Sequence, residues 1–529
     1  MSETRTYDII VIGSGISALT LACIMGRVNK KKVLILEQHS KIGGYTHSFS
    51  RKRYTWNVGL HYIGTIFEGR LTGKIFDFIT GGKMKWRKMI EPFEYFVYPD
   101  FTFKMYGEEG KFRNDLIALF PEEKKAIRAY LRDIKMVTLW FRIYLFRQFI
   151  PPFLLMPFIL LYVLLRKKAL STTMEYLDSR FTDSKLKSLL CSQWGNYGLP
   201  PSQSAFMIHG LVVNHFINGG YYPAGGSAEI AENIVPDILH NGGRCLVNHE
   251  VSGVITRNGR AIGVTVNVKS AKGSSVEKYY APVIVSSIGA YNTYTRFIPE
   301  GRSFSLPKKW VSTARPSACV ALYVGFKGDI KPLGFTGANL WLYDDYDHEK
   351  HFSGRLLFDG KPTACILSFT LPDEATAGPF SAVIISYVDQ SLFEKWKRQA
   401  TGRRDGDYYA LKDTITRGLI EFVNNYYPGF ADMIDYRELA TPLTTEDFTA
   451  NPGGAMYGLP AIPERYRQKW LKIETPLKGF YMTGTDIAAL GIVTSMMSGL
   501  ATAAYLNGPF GFFKVLRHIR KKKTPDSRV

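Results

Sequence analysis

With 529 residues, 46% of them hydrophobic and 21% charged, the chain holds enough apolar material for large buried cores. That excludes a disordered protein and predicts two intimately joined domains. The formal net charge of +21 attracts polyanions; no zinc-finger, RNA-binding or basic-zipper pattern accompanies it, so nucleic acid is not expected and an anionic membrane surface is the favoured partner.

The first residues run into a strand with no apolar signal segment, so a cytoplasmic-facing protein without a secretory signal is expected. Tyr7 to Ile12 reads as a buried strand, Gly13 to Gly15 as a tight turn, Ile16 to Val28 as a helix and Val33 to Glu37 as a second strand. Together they make a βαβ unit. From about residue 75 to 225 the chain turns aromatic, basic and proline-punctuated. Its most apolar stretch is Phe149 to Leu165, preceded by Arg142 and Arg147 and followed by Arg166, Lys167 and Lys168. Prolines 151, 152 and 157 and a borderline length argue against a straight membrane span. A shallow insertion into one leaflet through Phe153, Leu154, Leu155, Phe158, Ile159 and Leu160 is expected, with a span or an internal tunnel helix as the other readings.

Further on, Tyr221 to Ser227 opens a helix through Ile238. Arg244 to Asn248, Val251 to Arg257 and Ala261 to Val268 read as strands, with Asn258-Gly259 as a hairpin turn. Ala281 to Ser286 is another buried strand, irregular aromatic-rich structure fills about 290 to 440, and Val493 to Leu506 is the last folded helix. The basic tail FGFFKVLRHIRKKK is either a second membrane contact or a solvated terminus. Five cysteines, at 23, 191, 245, 319 and 365, lie far apart without a Cys-x-x-Cys pair, so neither disulfides nor a metal site is expected and a reducing compartment fits.

Gly13-Ser14-Gly15-Ile16-Ser17-Ala18 has the G-x-G-x-x-A form of a dinucleotide fingerprint. Gly13 permits the turn, Gly15 admits a pyrophosphate close to backbone, and Ala18 allows tight helix–strand packing. Glu37, about 20 residues on at the end of the second strand, suits ribose hydroxyls. The stretch Glu37-Gln38 to Gly43-Gly44 resembles the second diphosphate loop of flavoproteins of the glutathione reductase and amine oxidase superfamily. Gly484-Thr485-Asp486, followed by Gly491 and a helix, resembles that superfamily's closing motif, in which a carboxylate holds the ribityl chain. The resemblance implies FAD, an α/β fold with an FAD-binding Rossmann-like domain, and an interleaved mixed α+β substrate domain. The expected division is 1–75, 225–290 and 440–506 for the first, 76–224 and 291–439 for the second, and 507–529 as a tail. Flavin contacts carried by the resemblance fall on Gly13, Ser14, Gly15, Ser17, Ala18, Glu37, Gln38, Gly43, Gly44, Tyr45, Thr46, Val251, Gly484, Asp486, Ile492 and Val493.

Gly43-Gly44-Tyr45-Thr46-His47-Ser48-Phe49 and Gly59-Leu60-His61-Tyr62-Ile63-Gly64 narrow the likeness. The chain resembles the phytoene desaturase, carotenoid isomerase and retinol saturase family, nearest to its saturase branch. Asn57 and Thr485 depart from that pattern, which has Asp and Gln there. The resemblance implies saturation of a conjugated C=C bond in a lipophilic polyene or isoprenoid, with His61, Tyr62 and Tyr457 as candidate proton donors or orienting groups. NAD(P)H or an electron-donor protein would supply electrons. Alternatives are a desaturase or isomerase on the same fold, an amine oxidase, and a flavin-free prenyl-lipid carrier of the GDP dissociation inhibitor type.

Overall fold

A computed structural model describes residues 7–521, apart from 68, 271–272, 299–316 and 371–379. A five-stranded parallel sheet forms one centre, in the order Phe480–Met482, Val283–Ser286, Ile9–Ile12, Val33–Leu36, Arg244–Leu246. Ile9–Ile12 and Val33–Leu36 are buried at every position. A parallel strand covered on both faces needs such unbroken apolar runs. The helices Ile16–Asn29 and Ile492–Leu506 cross closely beside this sheet: a Cβ added at Gly499 would lie 2.4 Å from the Ser17 carbonyl oxygen, so only glycine fits.

An antiparallel three-stranded sheet follows, His249–Arg257, Arg260–Ser270 and Gly273–Tyr280. Asn258 and Gly259 both take positive φ, as the predicted two-residue hairpin turn requires. The third strand was not foreseen, because Gly273–Tyr280 is mostly exposed and carries little apolar periodicity. A seven-stranded sheet forms the second centre, in the order Ile434–Ala440, Ala318–Phe326, Ser381–Val388, Ala364–Thr370, Asn339–Tyr343, Glu94–Val97, Thr102–Met105. It is antiparallel except where Glu94–Val97 meets Asn339–Tyr343. One of its faces packs on the helix Gly406–Tyr426 in a separate core; the other joins the main core.

Lys124–Phe146, Pro152–Ala169 and Phe206–Phe216 are helices that lie in sequence between Thr102–Met105 of the second sheet and Arg244–Leu246 of the first. Lys124–Phe146 is amphipathic and packs on both of the others. Pro152–Ala169 starts on a proline, where the missing N–H costs nothing, and continues through Pro157. Among its residues proposed for the membrane, Phe153, Leu154, Phe158, Ile159 and Leu160 are exposed. Leu155 is not: it is buried, which corrects its assignment, because a helix lying on a protein surface must turn one stripe inward. Met156, Val163 and Leu164 join the exposed face instead. Among the described residues no helix is long and apolar enough to cross a membrane.

The helix Ile492–Leu506 is not the last folded element. Gly511–Lys521 forms another helix, with Phe512, Val515 and Ile519 buried against the main core. Phe510 and Phe513 remain exposed. No disulfide joins any of the five cysteines, all of which lie among the described residues.

Candidate active site

The Ile9–Ile12 strand ends in Gly13, whose φ of +89° turns the chain sharply into the helix Ile16–Asn29. Glu37, at the end of the neighbouring strand, locks that turn. Its Oε2 accepts the Ser14 backbone N–H (2.9 Å) and the Ser14 hydroxyl (2.7 Å), and its Oε1 accepts the His39 N–H (2.8 Å). Oε1 therefore keeps lone-pair capacity for a further donor such as a sugar hydroxyl. The Ser14 hydroxyl also accepts the Gly43 N–H (3.1 Å), tying the second glycine loop to the first.

These loops wall one end of a cavity of about 1080 Å³. Single-ligand pockets run to roughly 1,000 Å³, so this cavity lies at the large end of that range. Gly13, Ser14, Gly15, Ser17, Glu37, Gln38, Gly43, Gly44, Tyr45, Thr46, Val251, Gly484, Ile492 and Val493 all line it. A Cβ built on Gly15 would meet nothing within 4 Å, so the space that glycine leaves is cavity. The first-turn amides of a helix lack intrahelical acceptors and favour anions, and Gly15, Ile16 and Ser17 bring that turn to the wall. The residues present therefore fit a dinucleotide's diphosphate and ribose.

Two predicted contacts do not reach the cavity. Ala18 is fully buried in helix–strand packing. Asp486 is turned into the protein. Its carboxylate accepts the Ala290 N–H (2.6 Å) and the Leu459 N–H (2.8 Å), and the buried Arg465 guanidinium stands 3.9 Å away. The assignment of Asp486 to a ribityl chain is thus corrected: it clamps the loops that present Gly289, Gly458 and Gly484 to the cavity. Asp486→Ala strands two amides and a buried cation, so a loss of about 3–5 kcal/mol of stability is expected. Thermal denaturation checks this, and Asp486→Asn should lose less. Asn57 is better suited than Asp to its place. Its Oδ1 accepts from the Ser227 N–H (3.0 Å) and hydroxyl (2.8 Å) while its amide donates to Tyr222.

The other end of the cavity is apolar. Phe141, Leu145 and Phe146 come from one helix, Ile208, Leu211, Val212 and Phe216 from another, and Trp341, Ile366 and Ile385 from the seven-stranded sheet. The exposed side chains of Arg70 and Arg142 mark an opening there. His61, Tyr62 and Tyr457 all line the cavity. Burial pushes His61 down to about 4, so its imidazole is neutral at pH 7 and available as a hydrogen-bonding group rather than as an imidazolium acid. The Tyr62 ring stacks on Phe216 with centroids 4.2 Å apart; its hydroxyl donates to Glu94 and accepts from Asn196 (2.8 Å). Tyr457 and Tyr387 both donate to the Gly195 carbonyl, the former at 3.3 Å. His47 is held by the Gly44 carbonyl (2.6 Å) and also faces the cavity.

Sequence reasoning missed Glu94. It is fully buried on its strand, in phase with Phe96, and receives Trp341 Nε1 (3.0 Å) and Gln193 Nε2 (2.6 Å) besides Tyr62. Burial pushes its carboxyl up to about 7, the three hydrogen bonds opposing the rise. A charged residue in the core phase of an alternating strand was the available signal.

Residues 11–78 match a family described as an NAD(P)-binding Rossmann-like domain. Over nearly its whole length the chain is similar to the zebrafish (Danio rerio) all-trans-retinol 13,14-reductase, at 29% identity covering 94% of this chain and 86% of that protein. It is also similar to the chloroplastic prolycopene isomerase 2 of an Oncidium hybrid, at 24% identity covering 97% and 86% respectively. Among solved structures, cyclohexylamine oxidase from Brevibacterium oxydans superposes with a TM-score of 0.60 at 14% identity, covering 98% of this chain and 99% of that one. That likeness establishes the shared α/β architecture, of which residues 11–78 form part of the Rossmann-like portion.

Proposed function

We propose that this relative of the retinol 13,14-reductases and prolycopene isomerases is an FAD-dependent oxidoreductase that saturates a conjugated C=C bond of a lipophilic polyene taken from an anionic membrane surface. The observation that carries this reading is the continuity of one cavity, from the glycine cradle around Gly15 to an apolar chamber walled by two helices and a sheet. Bound FAD supplies hydride chemistry at its isoalloxazine ring. The chain's own residues do the rest. The cradle orients the dinucleotide, the apolar walls exclude water, Tyr62 presents a hydroxyl as proton donor, and neutral His61 orients the polyene or a hydroxyl on it. Glu37 and the open space at Gly15 also disfavour a flavin-free prenyl carrier, which would have no use for either.

Electrons for bound FAD would come from NAD(P)H docking transiently or from an electron-donor protein. The polyene enters past Arg70 and Arg142, beside the helix Lys124–Phe146 on which the exposed apolar helix Pro152–Ala169 packs. The protein is thereby membrane-associated and peripheral. The decisive experiment is anaerobic: reduce the purified yellow protein, add all-trans-retinol in detergent, and follow flavin reoxidation together with product mass. Reoxidation with the mass gain of a dihydro product is expected. Failure of retinol and of a panel of carotenoids to reoxidise the flavin overturns the reading. The isomerase relatives favour one second reading, in which the same cavity isomerises a carotenoid; its product would have unchanged mass.

A further inference from the structure

Burying a carboxylate without a cation is costly, and an amide or an apolar side chain would fill the Glu94 position at less expense. No Lys, Arg or His is bonded to it among the described residues; its partners are Tyr62, Trp341 and Gln193. The indole N–H can only donate, and the Gln193 amide donates to Oε2, so neither can accept a proton from Glu94. Tyr62 can. Its oxygen already accepts from the Asn196 amide at 2.8 Å, and its ring is fixed by stacking on Phe216 at the cavity wall. The Tyr62 hydrogen therefore has two destinations, the carboxylate or the cavity, and the proton count on Glu94 selects between them.

Resting on the function proposed above, we infer that Glu94 is the proton reservoir behind Tyr62: its carboxyl proton turns the tyrosine hydroxyl toward the bound polyene and replaces the proton the tyrosine delivers. With Glu94 protonated, its O–H donates to the Tyr62 oxygen and frees the phenolic hydrogen for the cavity. With Glu94 ionised, that hydrogen is held on the carboxylate and the cavity receives none. The transfer balances. A C–H bond forms at one alkene carbon with the proton leaving Tyr62 Oη, while the Glu94 carboxyl proton moves onto that oxygen. The other new C–H bond takes its hydride from the reduced flavin, which ends oxidised. Glu94 is left ionised and regains its proton from solvent.

The titratable groups facing this pair are few. Tyr457 raises the Tyr62 pKa, and Glu94 raises that of Tyr343, on the neighbouring strand; Tyr343 and Tyr457 are both phenols whose pKa burial also raises. Burial keeps His61, next in the chain, and His215, on the Phe216 helix, neutral at pH 7. None of them supplies a competing charge, and the buried carboxyl titrates at about 7. Glu94 acts through Tyr62 and is a positioning and relay residue, not a group that touches substrate.

Infrared difference spectra of the flavin-loaded protein test the reservoir without any turnover. Raising the pH through about 7 should remove a protonated-carboxyl C=O band from the wild type, and Glu94→Gln should lack that band. Turnover of all-trans-retinol should fall as the pH rises through the same range, and Glu94→Gln should abolish that dependence. Tyr62→Phe should keep the band, lose turnover by about 10²–10⁴-fold, and move the band's disappearance to higher pH, because it removes a hydrogen bond that favours the ionised carboxylate. Should Glu94→Gln fail to fold, that shift in Tyr62→Phe carries the test alone. A band that Glu94→Gln leaves in place, a pH profile it leaves unchanged, or a midpoint unmoved in Tyr62→Phe overturns the inference. A wild type that shows the band and its shift but reduces no polyene overturns the proposed function while supporting the exchange between Glu94 and Tyr62.

Discussion

Gly15→Ala is expected to yield a folded protein that binds FAD about 10- to 100-fold more weakly than wild type. The backbone at Gly15 has φ −61° and ψ 168°, a conformation open to any residue, and an added Cβ meets no protein atom within 4 Å. The methyl instead enters the space where a diphosphate would lie against the first turn of the Ile16–Asn29 helix. Lengthening charge-assisted hydrogen bonds there by the width of a methyl group costs about 1.5–3 kcal/mol, or about one to two powers of ten in affinity. Flavin fluorescence titration of the apoprotein measures it, with thermal denaturation as the control for folding. Gly13→Ala provides the contrast. Its φ is +89°, and the new Cβ would stand 2.8 Å from Ile288 Cγ2, so it should lower the melting temperature as well as affinity. Equal flavin affinity in Gly15→Ala and wild type would remove the diphosphate from this loop.

The second large effect is expected on membranes. Phe153, Met156, Leu160 and Leu164 are 61%, 67%, 69% and 68% exposed, so exchanging all four for serine costs the soluble fold little. Each should surrender about 1 kcal/mol of partial burial in lipid, about 4 kcal/mol together, which is roughly a thousand-fold in partitioning. Co-sedimentation with phosphatidylserine vesicles reads this directly. Binding by the wild type should also weaken with salt, since Arg147, Arg166 and Lys167 flank the apolar face. Unaltered sedimentation of the fourfold variant would mean that this helix does not hold the protein at the bilayer.

Much of the dinucleotide half was legible because its chemistry is written locally. A buried strand, a glycine turn, a helix and an acidic strand end each carry a backbone requirement that few residue types meet, and all lie within residues 9–37. What escaped reading depended on direction or on partners distant in sequence. The string Gly484-Thr485-Asp486 does not say which way its carboxylate turns; the amides of Ala290 and Leu459 and the cation of Arg465 decide that in three dimensions. Glu94 owes its character to Gln193 and Trp341, which converge on it from distant parts of the chain. The closing helix hid because Phe512, Val515 and Ile519 recur at helical spacing inside a run of basic residues that reads as a solvated tail. The Asn258-Gly259 turn, by contrast, needs only its own two residues, and it was placed correctly.

The parallel sheet also sets a timetable for the cell. Of its strands Ile9–Ile12, in the middle, leaves the ribosome first, yet its neighbour Val283–Ser286 follows about 270 residues later, and that neighbour's other partner, Phe480–Met482, about 200 residues after that. At about 5–20 residues per second of synthesis, the earliest strand waits on the order of a minute before the far edge arrives. During that interval an apolar β-segment stays incompletely paired and open to aggregation. Loading of the dinucleotide consequently waits for Phe480–Met482 and the Gly484 turn behind it, so a shortage of flavin would leave folded but empty sites rather than stalled fragments.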